Sequence, residues 1–284
     1  MGSHPNDRDL PTPVTAAGRE GLEALLRAPR RSVIALDFDG TLAEIVPDPD
    51  QARAHAGAVP ALSALAPEVA SVAVITGRPA GVAVRYGGFA GVPGLEHLVV
   101  LGHYGAERWD AVTGIVHAPA EHPGVAAVRA ELPGFLESIG AWRGTWIEEK
   151  GRALAVHTRR AADPAAAFAA LREPLAELAA RHGLMVEPGR AVLELRPPGV
   201  DKGVALTEFL AETDAEAVLY AGDDLGDLAA YAAVEKRRAD GLPGLLVCSG
   251  SAEVPELSSR ADLTLPGPAE VVNFLSTLAT ALRA

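Results

Sequence analysis

Along the chain, the spacing of apolar residues switches between two rhythms. From Arg31 onward, short unbroken apolar runs alternate with stretches whose apolar residues recur at helical spacing. "SVIALDFD" is followed by "GAVPALSALAPEVA" and then by "SVAVITGR", a pattern that predicts strand, helix, strand. Near the other end, "AVLYAGDD", "LGDLAAYAAVEK", "GLLVCSG" and "AEVVNFLSTLATALR" repeat the alternation. Strands that are apolar at every position, not every second one, are buried on both faces. Both ends therefore predict an α/β fold with a parallel sheet covered by helices.

The middle has a different rhythm. Between about Pro119 and Pro198 come "GVAAVRAELPGFLESIG", "TWIEEKG", "RALAVHTRR", "DPAAAFAALREPLAELAARHG", "LMVEPGR" and "AVLELRPP". Short strands at glycine turns, with two helices among them, predict a separate α+β layer. The expected organisation is an N-terminal tail and first helix at 1–30, a sheet core made of 31–118 and 198–284, and an inserted α+β cap at 119–197.

Composition narrows this picture. With 284 residues, 49% hydrophobic and only 5% aromatic, the chain can bury a sizeable aliphatic core. A formal net charge of -12 disfavours nucleic acid and anionic membrane surfaces, so a phosphorylated ligand needs local cations. The single Cys248 cannot form an intrachain disulfide, and no Cys/His spacing suits zinc, which fits a reducing compartment and makes the cytoplasm the expected location. No run approaches the roughly 18 apolar residues of a membrane span. The start "MGSHPNDRDLPTPV" lacks a signal-peptide core and has Asn6 where a myristoylation signal needs Ser or Thr; it reads as a loose tail.

The candidate chemistry sits at strand ends. In an extended strand, residues two apart share a face, so Asp37 and Asp39 project together from the end of the first strand. A turn explains one of these acids but not the pair, because adjacent carboxylates repel unless they share a cation or a proton. Thr76 and the Gly77 amide close the second strand as donors for an anionic oxygen. Asp201 is placed to cap a helix, with Lys202 aimed at a phosphate. "AGDDLGDLAAY" adds Asp223, Asp224 and Asp227, of which the last two also fit a capping box. Asp37, Asp39 and Asp223 form an oxygen-only set suited to a hard divalent cation, and magnesium is the usual one beside phosphate.

In order and spacing, "DFDGTL", Thr76, Lys202 and "GDDLGD" resemble the four motifs of the haloacid dehalogenase-like (HAD) phosphohydrolases. "DFDGTLAEIVPDPDQA", "VAVITGRP", "GHYGAE", "EEKGRALAVHTR" and "LELRPPGVDKG" resemble, more closely, the trehalose-6-phosphate phosphatases of that superfamily. The resemblance covers nearly the whole chain from Arg31. It implies a HAD-like Rossmannoid core with an inserted cap, and hydrolysis of trehalose 6-phosphate to trehalose and inorganic phosphate through an aspartyl-phosphate.

The resemblance also implies roles. Asp37 is the nucleophile, Asp39 the general acid/base, and Thr76 and Lys202 the phosphate binders. Magnesium is held by Asp37, the Asp39 carbonyl and Asp223, supported by Asp224 and Asp227. Gly77, Arg78, Glu107, Glu149, Lys150, His157, Arg159, Glu194 and Arg196 serve the substrate. A free aspartic acid titrates at about 3.9, so the role of Asp39 calls for neighbouring carboxylates and phosphate that favour its protonated form. Two positions depart from the family pattern: Gly226 replaces the usual Thr, and Tyr104 the usual His. The expected partner is a small phosphosugar, with no nucleic acid or membrane; the expected protein is a monomer, with the trehalose-phosphate synthase on another chain. The alternatives are a phosphatase acting on sucrose phosphate or on glucosyl- or mannosyl-glycerate phosphate, and a catalytically silent regulatory relative.

Overall fold

The computed structural model describes residues 10–141, 143–189, 191–250 and 255–284, so residues 1–9 of the expected tail lie outside the described residues. The strands are β1 Ser32–Leu36, β2 Ser71–Ile75, β3 Leu98–Gly102, β4 Glu107–Asp110, β5 Val116–His117, β6 Trp146–Glu149, β7 Leu154–His157, β8 Met185–Gly189, β9 Val192–Arg196, β10 Ala217–Gly222, β11 Gly244–Ser249 and β12 Leu263–Leu265. The helices are α1 Ala16–Arg27, α2 Ala58–Leu65, α3 Ala80–Gly87, α4 Pro123–Ser138, α5 Pro164–Arg181, α6 Lys202–Glu212, α7 Leu228–Ala239, α8 Pro255–Arg260 and α9 Pro268–Ala281. The chain divides into two compact units, Met1–Ala118 with Asp201–Ala284, and Pro119–Val200.

The first unit is built on one sheet in the order β12-β11-β10-β1-β2-β3-β4-β5. It is parallel from β12 to β3, and β4 and β5 add an antiparallel edge. β1, β2, β3, β10 and β11 are buried at every position, as unbroken apolar runs require. Alternate side chains feed two cores. Ile34, Leu36, Val72, Val74, Leu219 and Val247 pack with residues of α1, α2, α3 and α9, whereas Val33, Ala35, Ile75, Val218, Tyr220 and Leu246 pack with α6, α7 and α8. β1 lies between β10 and β2, the point where successive strands depart in opposite directions, and open sheets of this kind bind ligands at the carboxyl ends there. The β4–β5 edge was not expected from the sequence. β4 reads Glu-Arg-Trp-Asp with only Trp109 buried, so it carries almost no apolar signal.

The second unit is a four-stranded antiparallel sheet, β6-β7-β9-β8, with α4 and α5 on one face. Val128, Leu132, Leu171, Leu175 and Leu178 of the helices meet Leu154, Val156, Leu193 and Leu195 of the strands. Period-two alternation then assigns every other strand residue to the opposite face.

The segment just after the tail is firmly tied. Val14 N–H donates to the Asp262 carbonyl (2.8 Å), and Thr15 caps α1 through its hydroxyl, which accepts from Gly18 N–H (2.9 Å). The fully buried Asp262 carboxylate accepts from the Thr15 hydroxyl, the Arg238 guanidinium and the Leu246 amide (2.7 Å). The expected loose tail through Val14 thus ends earlier than the sequence suggests, because a distant buried acid collects its donors there. Removing one partner of a buried charge pair costs about 3–5 kcal/mol. Asp262→Ala is expected to lower unfolding free energy on that scale, measured by urea denaturation; a loss under about 1 kcal/mol would show that the cluster is not a buried tie.

Candidate active site

The carboxyl ends of β1, β2 and β10 and the start of α6 supply the charged groups. Asp37 follows β1 directly, and its amide donates to the Ala221 carbonyl of the neighbouring strand (2.8 Å). Gly40 then turns the chain with φ +75°; a methyl group there would collide with the Asp223 carboxylate, so only glycine lets Asp223 come up against this loop. The Ser249 hydroxyl at the end of β11 donates to the Gly40 carbonyl (2.5 Å) and pins the turn.

Lys202 is the first residue of α6, which Asp201 caps by accepting from the Gly203 and Val204 amides (both 2.8 Å). Its ammonium is buried between two carboxylates, 2.8 Å from Asp37 Oδ1 and 2.7 Å from Asp227 Oδ1. Burial alone would lower the Lys202 pKa, but Asp227 and Asp37 outweigh it and hold it well above the ordinary value.

Asp227 sits in the turn before α7 with no exposed surface. Its Oδ1 accepts from Lys202 and from the Tyr220 hydroxyl (2.5 Å), and its Oδ2 from the Asp223 and Asp224 amides (3.0 and 3.1 Å). Burial pushes its pKa up, but Lys202, by charge and by hydrogen bond, and the Tyr220 hydroxyl bring it below the ordinary value. A carboxylate offers about four acceptor positions, and all are used here. The capping box that the sequence offered for Asp224 and Asp227 is present.

Asp37 and Asp223 are in the opposite condition. Burial raises Asp37 well above its ordinary pKa, with Lys202 opposing and Asp227 and Asp224 adding to the rise. Asp223 is pushed up to about 10 by burial first, then by Asp37 and Asp227. Its Oδ1 is buried without a hydrogen-bond partner. Asp37, Asp223 and Asp227 place carboxylate oxygens within 4.8 Å of one another, the one such cluster among the described residues. An orphaned oxygen in an oxygen-only cluster fits a divalent cation. Since Asp227 is saturated with donors, Asp37 and Asp223 are the acids left to face it. Asp224 is pushed to about 6, chiefly by burial, and its Oδ1 accepts from the Gly226 amide (2.9 Å).

Asp39 is not among carboxylates in the way its expected role suggested. Both of its oxygens accept from Arg78, at 2.6 and 2.7 Å, a bidentate pair with the residue that follows Gly77. Thr76 is buried, and its hydroxyl oxygen accepts from the Arg78 amide (3.2 Å), which leaves its proton to donate outward. Gly77 is required by contact: a methyl group there would lie 2.7 Å from the Tyr104 phenol oxygen. Tyr104 and His103 both hold left-handed φ values, 59° and 47°, with their amides donating to the Thr76 and Arg78 carbonyls (both 2.9 Å). Glu107, expected at the substrate, accepts through Oε2 from the Ala80 amide at the start of α3 (2.9 Å). Its place just after a tight turn, three residues beyond Tyr104, carries no signal of this.

In the second unit, cross-strand pairs settle which acids share a face. Trp146 is opposite His157, Glu148 opposite Ala155, and Ala155 opposite Glu194, all on the face away from α4 and α5. Glu149 lies opposite Leu154 on the helical face, where it pairs with Arg129 of α4 (3.1 Å). Glu149, expected at the substrate, thus lies on the other face of the sheet from His157 and Glu194. Glu148, missed in the sequence, is the acid bonded to His157 Nε2 (2.7 Å). The signal was available, since Ile147 marks the helical face and Glu149 must share it. Trp146 stacks on His157 (4.4 Å, 7°), Lys150 pairs with Glu194 (2.6 Å), and Arg196 with Glu187 (2.7 Å). His157 Nδ1 and Glu194 Oε1 are buried without hydrogen-bond partners. Arg159 is exposed just beyond β7.

The sequence model of the trehalose-phosphatase family matches residues 35–267. The chain belongs to that family. A trehalose-phosphate phosphatase of Mycobacterium marinum is 35% identical over 293 residues, covering 96% of this chain and 67% of that protein. The chain spans about two thirds of the length of such curated relatives, 67% and 65% for those of Mycobacterium marinum and Mycobacterium avium. The solved structure of Aspergillus fumigatus trehalose-6-phosphate phosphatase has a TM-score of 0.67 at 27% identity, covering 95% of this chain and 99% of that one. A haloacid dehalogenase-like hydrolase from Bacteroides thetaiotaomicron shares the fold, with a TM-score of 0.57 at 17% identity and coverage of 86% and 98%. The α/β HAD-like core expected from the sequence is thus the fold of this family member. No helix among the described residues is long and apolar enough to cross a membrane.

The raised acids set a pH dependence. An acid raised from 3.8 to about 10 contributes stability that is full below its ordinary value and is lost as pH climbs toward about 10, because burial and the neighbouring acids outweigh Lys202 and disfavour ionised Asp223. Asp37 acts in the same sense. Asp227 stays ionised and Lys202 protonated throughout, their shifts pointing away from neutrality. A divalent cation competes with the proton, so magnesium or manganese chloride is expected to raise the melting temperature more near pH 8.5 than near pH 5.5. Asp223→Asn should abolish that difference, and a cation effect equal at both pH values would contradict the site.

Proposed function

We propose that the chain is a magnesium-dependent phosphatase that hydrolyses trehalose 6-phosphate to trehalose and inorganic phosphate through a phosphoaspartate on Asp37. The observation that carries this reading is the Asp37 carboxylate, buried at a strand end, in contact with Lys202 and clustered with the orphaned Asp223 oxygen. The family's curated relatives bear the name trehalose-phosphate phosphatase, which supports the choice of substrate.

Phosphoryl transfer asks chiefly for positioning and for neutralisation of charge on the transferring oxygens. Magnesium, held by Asp37, Asp223 and the Asp39 carbonyl, would supply positive charge between nucleophile and phosphate. Asp37 attacks phosphorus through one carboxylate oxygen while the bond to the sugar oxygen breaks. Lys202 holds Asp37 on one side and presents its charge to the phosphate, and the Thr76 hydroxyl and Gly77 amide donate to the phosphate oxygens. Asp39 gives a proton to the departing sugar oxygen and then takes one from the water that hydrolyses the phosphoaspartate. Arg78 fixes the plane of the Asp39 carboxylate before the reaction and must yield for Asp39 to carry its proton, so the pair orients the acid/base and also restrains it.

Sugar recognition we assign to the polar face of the cap sheet. Glu148, Lys150, His157, Glu194 and Arg196 bring donors and acceptors of both kinds to that unit, and buried polar atoms left without partners discriminate against ligands that cannot pair them. The ion pairs and the stacked Trp146 keep these groups in fixed directions.

A panel of phosphosugars tests the reading. Phosphate release from trehalose 6-phosphate, measured with and without magnesium, is expected to depend on the metal and to exceed that from sucrose phosphate and from glucosyl- and mannosyl-glycerate phosphates in kcat/KM. Equal or better turnover of any of these would displace trehalose 6-phosphate, and no release from any ester would favour a silent relative. The parity of β6 gives a second test. Glu148→Gln should raise KM for trehalose 6-phosphate about tenfold or more, the scale of one hydrogen bond to a charged group, while Glu149→Gln should change it less than about twofold. A larger effect at Glu149 would reverse the assignment of faces.

A further inference from the structure

We infer that Tyr220 is a positioning residue for phosphoryl transfer, its hydroxyl setting the direction of Asp227 and, through it, the place of the Lys202 ammonium beside Asp37. The inference rests on the phosphatase reading above and adds a residue from the strand interior, outside the four acidic and phosphate-binding motifs.

The argument begins with strand parity. Leu219 and Ala221 of β10 face the core built with α2 and α9, and Val218 and Tyr220 face the layer of α6 and α7. That layer presents Lys202 at the start of α6 and Asp227 just ahead of α7, and the long side chain at position 220 reaches the Asp227 carboxylate that Lys202 also meets. Tyr220 has no exposed surface, and its hydroxyl donates to Asp227 Oδ1 at 2.5 Å. The same oxygen receives Lys202 at 2.7 Å, and the other oxygen is held by two backbone amides.

These donors are not equivalent. The amides fix Oδ2 to the turn. Oδ1 is approached by a flexible four-carbon side chain and by a rigid ring. A lysine ammonium is a point charge with rotatable donors that settles where its acceptors lead it. Its other acceptor, Asp37 Oδ1 at 2.8 Å, is the proposed nucleophile, whose own direction should not have to position the lysine. The phenol is therefore the one rigid side-chain group that sets Oδ1. Its ring is held edge-on by Tyr231, at 6.1 Å and 86°.

Tyr231 also provides the control. It is equally buried in the same layer, but its hydroxyl has no hydrogen-bond partner. Two tyrosines in contact thus differ in whether the hydroxyl joins the charged network. Removing either oxygen costs similar volume, and only one removal reaches Lys202.

The test compares Y220F and Y231F in the full chain, with saturating magnesium, on trehalose 6-phosphate and on p-nitrophenyl phosphate. Y220F is expected to lower kcat about tenfold or more on both esters, the scale of one hydrogen bond to a charged group. KM for the sugar ester should move less than about twofold, and inhibition by inorganic phosphate should weaken in parallel with kcat. Y231F should keep kcat within about twofold. 4-Aminophenylalanine installed at position 220, which restores a donor, should recover most of the loss. A merely structural Tyr220 would lower the melting temperature while leaving kcat and phosphate inhibition unchanged well below it, and that result overturns the inference. If Y220F folds poorly, the 4-aminophenylalanine protein decides: near-wild-type kcat supports the inference and a tenfold loss contradicts it. An active wild type with an unaffected Y220F rejects Tyr220 alone, whereas a wild type inert on every ester rejects the phosphatase reading as well.

Discussion

The buried ammonium of Lys202 is the constraint around which the first unit is arranged. A lone cation with almost no exposed surface would lose its proton or pull water inward. It is tolerated because two carboxylates lie within 2.8 Å of it, delivered by different parts of the chain: Asp37 from the end of β1 and Asp227 from the turn after β10. That requirement places β10 next to β1, aims the start of α6 at the same edge, and leaves Asp227 fully hydrogen-bonded, so that its charge is spent on the lysine. Asp37 shares that ammonium with Asp227, and Asp223 has no such partner. Their raised pKa values and the orphaned Asp223 oxygen are the electrostatic imprint of a site with more negative charge than its own cation balances.

This resolves the conflict between a strongly acidic chain and a dianionic substrate. A net charge of -12 repels phosphate at long range, and the acids at the strand ends add to that repulsion. Yet two cations at this edge each pair with a strand-end acid, Lys202 with Asp37 and Arg78 with Asp39. Neither works as an isolated attractor. A divalent cation held by Asp37 and Asp223, as proposed, would add the local positive charge that lets a carboxylate and a phosphate meet without the surface becoming basic.

Much of this was legible in the sequence because it is written in short-range patterns. Continuous apolar strands ending in Asp-x-Asp, Thr-Gly and Gly-Asp-Asp announce a parallel sheet with a polar carboxyl edge, and Asp201 announces the start of α6. What escaped notice depends on pairing between distant segments. Nothing local shows that Arg78 pairs with Asp39, that Glu107 accepts from the first amide of α3, or that Asp262 gathers Thr15, Arg238 and Leu246. The β4–β5 edge was hidden for another reason. An edge strand with one buried residue need not be hydrophobic, so periodicity has little to detect.

Strand parity decides the surroundings of polar residues twice in this molecule. At β6 the neighbours Glu148 and Glu149 have the same chemistry, yet one meets His157 and the other Arg129 on the far face. At β10 the neighbours Leu219 and Tyr220 go to opposite cores, and only the second can reach the helix starts that carry Lys202 and Asp227. In both places a shift of one residue in pairing would exchange one side chain for its neighbour and would put a polar group into an apolar layer. The apolar alternation that stabilises each sheet therefore also fixes where its polar residues act. Ile147 and Leu154 keep Glu148 in place, as Leu219 and Ala221 keep Tyr220, so these core residues decide which polar groups reach His157 and Asp227.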